Sequence, residues 1–436
     1  MMPSHSPGEL SAAALGDAGL PALPILSDLF QRIGDELTAQ RHLGVISITV
    51  LQRDALDYSG GWHAYDRVIS TVARFVARYR SRRMRLEDRL FEPSVSGNAF
   101  VLVLAPPRTA RPLVADDVAR VRERLRRGLR LHLARRLPRE VLDRFACYVG
   151  GAILSDEPGI RLERIVYRSL DAAFADALAE KALEDNDCAA ELSRILEEGL
   201  VRAVYQPVVD LAARRVVGYE ALTRAPRGRF ETVDLMFKAA QNHNVLWSLE
   251  RLCRQRALET APDLGIHQLL FLNIEPDSLH DPEFTDGTFP RRLLAAGLSP
   301  EQIVLEITEH SPVHDFVAFR RTLVELRGNG FRLAMDDVGS GYAGLQSIAE
   351  IAPDYIKIDM TLVRDLDGSV IKRELIATIR RFADATGIAV VAEGIERMGE
   401  LVALVETGVH CAQGYLLARP DAPPRFPDWN AIGLTD

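Results

Sequence analysis

Leu333-Ala334-Met335-Asp336-Asp337 is the stretch that decides how this chain of 436 residues folds. Three apolar residues run straight into two adjacent carboxylates, and the construction recurs through the second half of the sequence. Val216 to Tyr219 lead into Glu220, Leu269 to Leu272 into Asn273, Ile303 to Leu305 into Glu306, Tyr355-Ile356 into Lys357, and Ala389 to Ala392 into Glu393. A short aliphatic run bounded by polar residues reads as a strand buried on both faces, the mark of a parallel sheet. In a (β/α)8 barrel all strands point the same way, so these polar residues would gather at one mouth.

Composition supports an α/β chain of more than one domain. Hydrophobic residues make up 47% of it, and its length accommodates a barrel of roughly 250 residues beside a second unit. A formal net charge of −8 supplies no bulk attraction for nucleic acid, so none is expected as a partner. Cys147, Cys188, Cys253 and Cys411 lie far apart without a C-x-x-C pair, which speaks for a reducing compartment rather than a disulfide framework or zinc ribbon. No stretch approaches the roughly 20 apolar residues of a membrane span. No Lys or Arg precedes Arg32, against a secretory signal. The expected location is the cytoplasm, with no membrane contact.

The pattern divides the chain into four segments. Residues 1–29, rich in Ala, Gly, Pro and Ser, read as a flexible tail. Residues 30–170 read as an α+β sandwich: a helix to residue 41, a strand over 45–51, a helix over 63–82, a hairpin ending at 99–104, an Arg-rich helix over 116–136 and a strand over 145–154. Residues 171–199 are nearly all helix formers and read as a helical connector, and residues 200–436 alternate strand and helix. In the Arg-rich helix, Leu and Val recur at helical spacing, acids interrupt the charge and no aromatic is interleaved, so it reads as a solvated face. His243, Trp247 and His310 have no metal-ligand spacing and read as core or rim residues.

Within one mouth, Glu220, Glu306, Asp336, Asp337 and Glu393 would repel one another unless some bound protons or cations. With Asn273 the set is all oxygen, which selects Mg²⁺, Mn²⁺ or Ca²⁺ over zinc or copper. Five carboxylates exceed what one Mg²⁺ takes from protein. Two ions are therefore expected, the arrangement that clamps both oxygens of a phosphodiester undergoing displacement. Lys357 stands out because only four of the 53 basic residues are lysines. A compact ammonium suits a water or a phosphate oxygen where a guanidinium fork is too bulky. The competing reading is an ion pair with Asp359.

These residues carry a family resemblance. Glu220-Ala221-Leu222-Thr223-Arg224 resembles the signature of the EAL family of cyclic di-GMP phosphodiesterases, preceded by Tyr205-Gln206-Pro207-Val208-Val209-Asp210. The likeness continues in order through Phe271-Leu272-Asn273, Leu305-Glu306-Ile307-Thr308-Glu309, Asp336-Asp337-Val338-Gly339, Ile356-Lys357-Ile358-Asp359, Ala392-Glu393-Gly394-Ile395-Glu396 and Gln413-Gly414-Tyr415. It implies a modified TIM-like barrel with one antiparallel strand, and opening of cyclic di-GMP to pGpG with Mg²⁺ or Mn²⁺. Glu220, Asn273, Glu306 and Asp336 match ligands of a first metal, and Asp336, Asp337 and Glu393 surround a second. Lys357 matches the lysine that orients the attacking water. Gln206, Leu222, Arg224 and Asp359 match substrate-binding positions. Glu396 and Gln413 match further active-site positions, and Glu309 the glutamate that steadies the loop after Asp337. A homodimer is also implied.

The departures concern regulation. The loop Val338-Gly339-Ser340-Gly341-Tyr342-Ala343-Gly344 has smaller residues than the family pattern. The first unit resembles a GGDEF domain in pattern only, because its signature has become Ser96-Gly97-Asn98-Ala99-Phe100 and the acid expected near the end of strand 46–52 is missing. Losing the glycine and the acidic pair removes both the phosphate approach and the metal chemistry, so cyclase activity is not expected. Asp57 and Asp66 keep nucleotide binding open there, and Arg85-Leu86-Glu87-Asp88 resembles a remnant inhibitory motif. Two other functions fit parts of the pattern. A non-hydrolysing cyclic di-GMP receptor has no use for a full two-metal set, and a lysine-base barrel enzyme leaves Arg224 and the motif order unexplained.

Overall fold

The computed structural model describes residues 29–52, 61–83, 88–91, 99–106, 111–284, 286–308, 316–339 and 344–429. The chain divides into two compact units, residues 1–188 and 189–436. The first contains β1 (His42–Gln52), β2 (Arg89–Phe91), β3 (Ala99–Leu104) and β4 (Phe145–Ser155), all antiparallel in the order β2-β3-β1-β4. The inner strands β1 and β3 are buried on both faces, and period-2 alternation sends their side chains into two cores. On one face Ile46, Ile48, Phe100 and Leu102 pack against helices α2 (Gly61–Arg83) and α3 (Ala115–Ala134). On the other, Val45, Val101 and Val103 meet α1 (Phe30–Gln40) and α5 (Leu162–Glu198). The short α4 (Arg139–Arg144), which the pattern did not suggest, precedes β4.

Helix α5 starts at Leu162, ahead of the connector expected from residue 171, because its first turns bury Ile165, Val166 and Leu170 in the core of the sheet. Arg122, Arg126 and Arg130 of α3 face Asp176, Glu180 and Glu184 of α5. Every fourth residue of each helix takes part, so the two run side by side in register. One stripe of the Arg-rich helix is thus an ion-pair ladder rather than a solvated face. Asp88 is buried and accepts the Ala105 N–H at 2.9 Å, an anchoring role, and Asp66 is exposed on α2. Asp57, Arg85 to Glu87, Ser96 to Asn98, His310 and the tail 1–28 lie outside the described residues.

The second unit is a closed eight-stranded barrel. Its strands are β5 (Arg202–Asp210), β6 (Arg215–Arg224), β7 (Leu269–Ile274), β8 (Ile303–Thr308), β9 (Arg332–Val338), β10 (Tyr355–Ile358), β11 (Ala389–Ala392) and β12 (Cys411–Ala412). Only β5 runs antiparallel to its neighbours β6 and β12; the remaining pairings are parallel. The barrel helices are α6 (Val233–Asn242), α7 (Leu246–Glu259), α8 (Thr288–Ala295), α9 (Phe316–Gly328), α10 (Gly344–Ile351), α11 (Met360–Val363), α12 (Val370–Thr386) and α13 (Met398–Thr407). Outward-facing residues such as Leu270, Leu272, Ile303, Leu305, Leu333 and Ile356 form the large core beneath these helices. Inside, Val208, Phe271, Val304, Ala334, Tyr355, Val391 and Cys411, one from each of seven strands, build an apolar floor. Phe271 and Tyr355 meet edge-on there, their centroids 5.4 Å apart. Among the described residues no helix is long and apolar enough to cross a membrane.

Candidate active site

Residues two apart on a strand face the same way, so each floor residue has a neighbour pointing into the same lumen one layer nearer the mouth. Those neighbours are Asn273, Glu306, Asp336, Lys357, Glu393 and Gln413. On the reversed strand β5 the count runs backwards, from Val208 to Gln206, which pairs in register with Glu220 of β6. The floor keeps water from entering beneath the layer. Lys357 is 1% exposed and Glu306 wholly buried.

Lys357 is the centre of the cluster. Its Nζ lies 2.7 Å from Glu306 Oε1, 2.8 Å from Glu393 Oε1, 3.2 Å from Asp336 Oδ1 and 3.5 Å from Glu220 Oε2. The ion pair with Asp359 does not form; that carboxylate instead accepts the Thr361 N–H at 2.8 Å and caps α11. Glu220 is further held by the Asn273 amide at 3.1 Å and the Gln413 amide at 2.6 Å. Gln413 also donates to Gln206 at 2.9 Å, and Gln206 donates to the Ala418 carbonyl at 3.0 Å.

Burial sets the electrostatics. It pushes Glu306 well above the ordinary carboxylate range, with the Glu220 charge acting in the same direction. It also lifts Glu393 to about 8. Burial acts on Glu220 too, but Lys357 and the amides of Gln413 and Asn273 outweigh it and hold that carboxyl low. For Lys357, burial favours loss of the proton, yet Asp336, Glu220, Glu306 and Glu393 together keep the ammonium charged. The layer therefore contains more acid than its single base can neutralise.

Asp336 and Asp337 both serve the mouth because β9 carries a bulge. Ile356 and Ile358 of β10 pair with Met335 and Val338, so two residues of β9 stand opposite one of β10. Asp337 takes a left-handed φ of 57°, one of the few side chains that tolerates it. Oxygens of Asp336, Asp337 and Glu393 come within 4.8 Å of one another. Lys357 sits on Oε1 of Glu306, while Oε2 is buried without a hydrogen-bond partner. Convergent carboxylates, a buried acid with one unpartnered oxygen and an all-oxygen donor set fit hard divalent cations.

Contacts link Gln206, Glu220, Asn273, Glu306, Asp336, Lys357, Glu393 and Gln413 directly, with Asp337 beside them. Leu222 and Arg224 lie at the end of β6, where the Arg224 guanidinium donates to the Thr223 carbonyl at 3.0 Å. Glu396 is exposed beyond β11, and Glu309 lies outside the described residues. Sequence reading missed Glu400. Its buried carboxylate accepts the N–H groups of Glu396, Arg397 and Asp365, fixing the loop that follows Glu393. A Glu three residues after the start of a helix cap was the available signal.

Barrel topology and strand-end acids define the second unit as a TIM-like barrel with an acid-lined mouth. A family model described as the EAL domain matches residues 189–420, and the chain belongs to the EAL-domain family. It is 32% identical to the cyclic di-GMP phosphodiesterase RocR of Pseudomonas aeruginosa over 254 residues, 55% of this chain and 62% of that one. It is 30% identical over 361 residues to an uncharacterized protein of Mycobacterium tuberculosis, a match covering 77% of this chain and 56% of the relative, so it spans little more than half that protein's length. The solved EAL domain of FimX from Xanthomonas citri, in complex with c-diGMP, shares the fold at a TM-score of 0.50 and 22% identity, over 56% of this chain and 96% of that domain.

Proposed function

We propose that the barrel hydrolyses one phosphodiester bond of cyclic di-GMP to give pGpG. The observation that carries this reading is the ring of Glu220, Glu306, Asp336 and Glu393 around Lys357 above an apolar floor. Relatives named as cyclic di-GMP phosphodiesterases support the choice of substrate. Glu220, Asn273, Glu306 and Asp336 would hold one Mg²⁺ or Mn²⁺, and Asp336, Asp337 and Glu393 a second. When bound, the two ions supply Lewis-acid polarisation and neutralise charge on the phosphoryl oxygens.

This chain's own residues do the rest. Lys357, kept charged by its four acids, aims the nucleophilic water at phosphorus. Arg224 leaves the Thr223 carbonyl to grip a non-bridging phosphate oxygen, which suits a guanidinium fork. Leu222, Gln206 and Asp359 line the ligand's approach, while Gln413 fixes the rotamer of Glu220. Glu396 stands at the rim, carried by the loop that Glu400 anchors, and Glu309 steadies the loop after Asp337. The first unit, stripped of the residues a cyclase needs, regulates the barrel within a cytoplasmic homodimer.

The test is a chromatographic time course with Mg²⁺ or Mn²⁺. Conversion of cyclic di-GMP to pGpG is expected, and Glu220→Ala should cut it by more than about a hundredfold. Tight binding without product over hours, with either metal, would replace the enzyme with a receptor.

A further inference from the structure

Asn273, a proposed metal ligand, has its backbone in register with Glu306 of β8, while its side chain lies open at the mouth. It is solvent-exposed at the end of β7, and its side chain reaches Glu220 through one hydrogen bond. The ladder to β8 ends at Ile274, and beyond it the chain leaving the strand is held by helix α7. Two residues past Asn273, the Glu275 N–H donates at 2.9 Å to Glu250 of α7. Glu250 is itself buried and pairs with Arg254, one turn further along the helix, at 3.1 Å.

Arg254 ties the whole segment down. Its side chain is 3% exposed and reaches Asp281 at 3.2 Å and Glu283 at 3.5 Å, while its Cζ lies 4.7 Å from the Phe284 ring centroid. Asp281 is wholly buried, accepts the Glu283 N–H at 3.0 Å and is paired from outside by Arg251. Arg292 meets Glu283 at 2.8 Å. Arg254 therefore ties α7 directly to residues 281 and 283 and, through Glu250, to residue 275 of the chain leaving β7. One terminal nitrogen of the guanidinium meets Glu250 and the other meets Asp281 and Glu283, a spread that the single ammonium of a lysine at this position does not reproduce. Buried clusters of this kind cost desolvation that an aliphatic pair avoids, while their directional hydrogen bonds fix one arrangement of the segments they join.

Resting on the phosphodiesterase reading, we infer that Arg254 is a positioning residue: it holds Glu250, Asp281 and Glu283 so that Asn273 meets the first divalent cation. Groups that orient a metal ligand from behind typically change metal affinity by ten- to a hundredfold when replaced. The clasp would act on cation binding and leave the chemistry at saturating metal nearly untouched.

The test compares the full-length protein with Arg254→Lys. Mn²⁺ binding is read by calorimetry and by the metal-induced rise in melting temperature, both without substrate, and by the Mn²⁺ dependence of cyclic di-GMP turnover. Expected are a Mn²⁺ dissociation constant and half-saturation raised about tenfold or more, with kcat at saturating Mn²⁺ within about threefold of the parent. Arg380→Lys, which alters the pairing with Asp384 and the Gly408 carbonyl away from the acid layer, serves as a control that lowers melting temperature without moving Mn²⁺ affinity. An unchanged Mn²⁺ constant in Arg254→Lys would overturn the inference. Should that variant not fold, Asp281→Asn is measured in the same way, and misfolding of both would reduce the clasp to a stability element and overturn the inference too. A parent that binds Mn²⁺ but forms no pGpG would sink the phosphodiesterase reading while leaving the binding comparison intact.

Discussion

A buried ammonium is costly unless acids surround it, and Lys357 with its four carboxylates supports the converse as well. Removing the charge leaves those acids facing one another in a water-poor layer. Lys357→Met is therefore expected to destroy turnover and to lower the stability of the metal-free barrel at pH 8 by about 3 to 5 kcal/mol. Mn²⁺ should restore most of that loss, because cations can take the place of the missing ammonium. Thermal melts with and without Mn²⁺ check this, and equal metal-induced shifts in parent and variant would refute it. The sequence marked Lys357 through the rarity of lysine in an arginine-rich chain. It did not show which acids the side chain meets. Asp359, two residues along, shares its strand direction but sits beyond the end of β10, where its carboxylate finds a helix N-terminus first.

The elements explain how adjacent acids work together. In a regular strand Asp336 and Asp337 would point to opposite faces, but the bulge and the left-handed turn of Asp337 bring both to the mouth. Asp337→Asn tolerates the same backbone, so its melting temperature should match the parent while Mn²⁺ binding weakens. Asp337→Val, β-branched at positive φ, should cost a further 1 to 3 kcal/mol or so in urea unfolding. Helix α7 makes a separate prediction. Burial raises the Glu250 carboxyl to about 7 although Arg254 opposes the shift. Between the ordinary carboxylate value and 7 the folded state binds more protons than the unfolded one, so this group's contribution falls as pH rises through that window and is fully lost above it. Relative to Glu250→Gln, the parent should lose about 3 kcal/mol between pH 4 and pH 8, measured by urea unfolding at each pH. Loss of equal size in both would show that Glu250 ionises normally. Nothing in the sequence singled out Glu250 or Arg254, since an acid and a base four apart on a helix ordinarily form a solvated pair. Their burial follows from where residues 275 to 284 fold back.

At the scale of the whole molecule, the family match at residues 189–420 falls within the second compact unit. A chain trimmed to residues 189–436 is expected to keep cyclic di-GMP hydrolysis, with a turnover rate or oligomeric state different from that of the full chain. Sedimentation and initial rates decide it, and identity in both would remove the regulatory role proposed for the first unit. In that unit, two-sided burial of β3 was legible as an unbroken apolar run, whereas in β1 the alternating Ser47 and Thr49 masked it, and the ladder from α3 to α5 was not legible because its arginines look the same in solvent as they do beside acids 54 residues away. The sequence by itself determined the barrel and its acid layer: an apolar residue followed two positions later by a polar one encodes a floor and a mouth, since the strand period is fixed by backbone geometry. Only the tertiary structure decided which acids surround Lys357, that β9 bulges at Asp336-Asp337, and that Arg254 clasps the chain behind Asn273. Those are relations between strands and helices far apart in sequence, set by packing and register rather than by any local pattern.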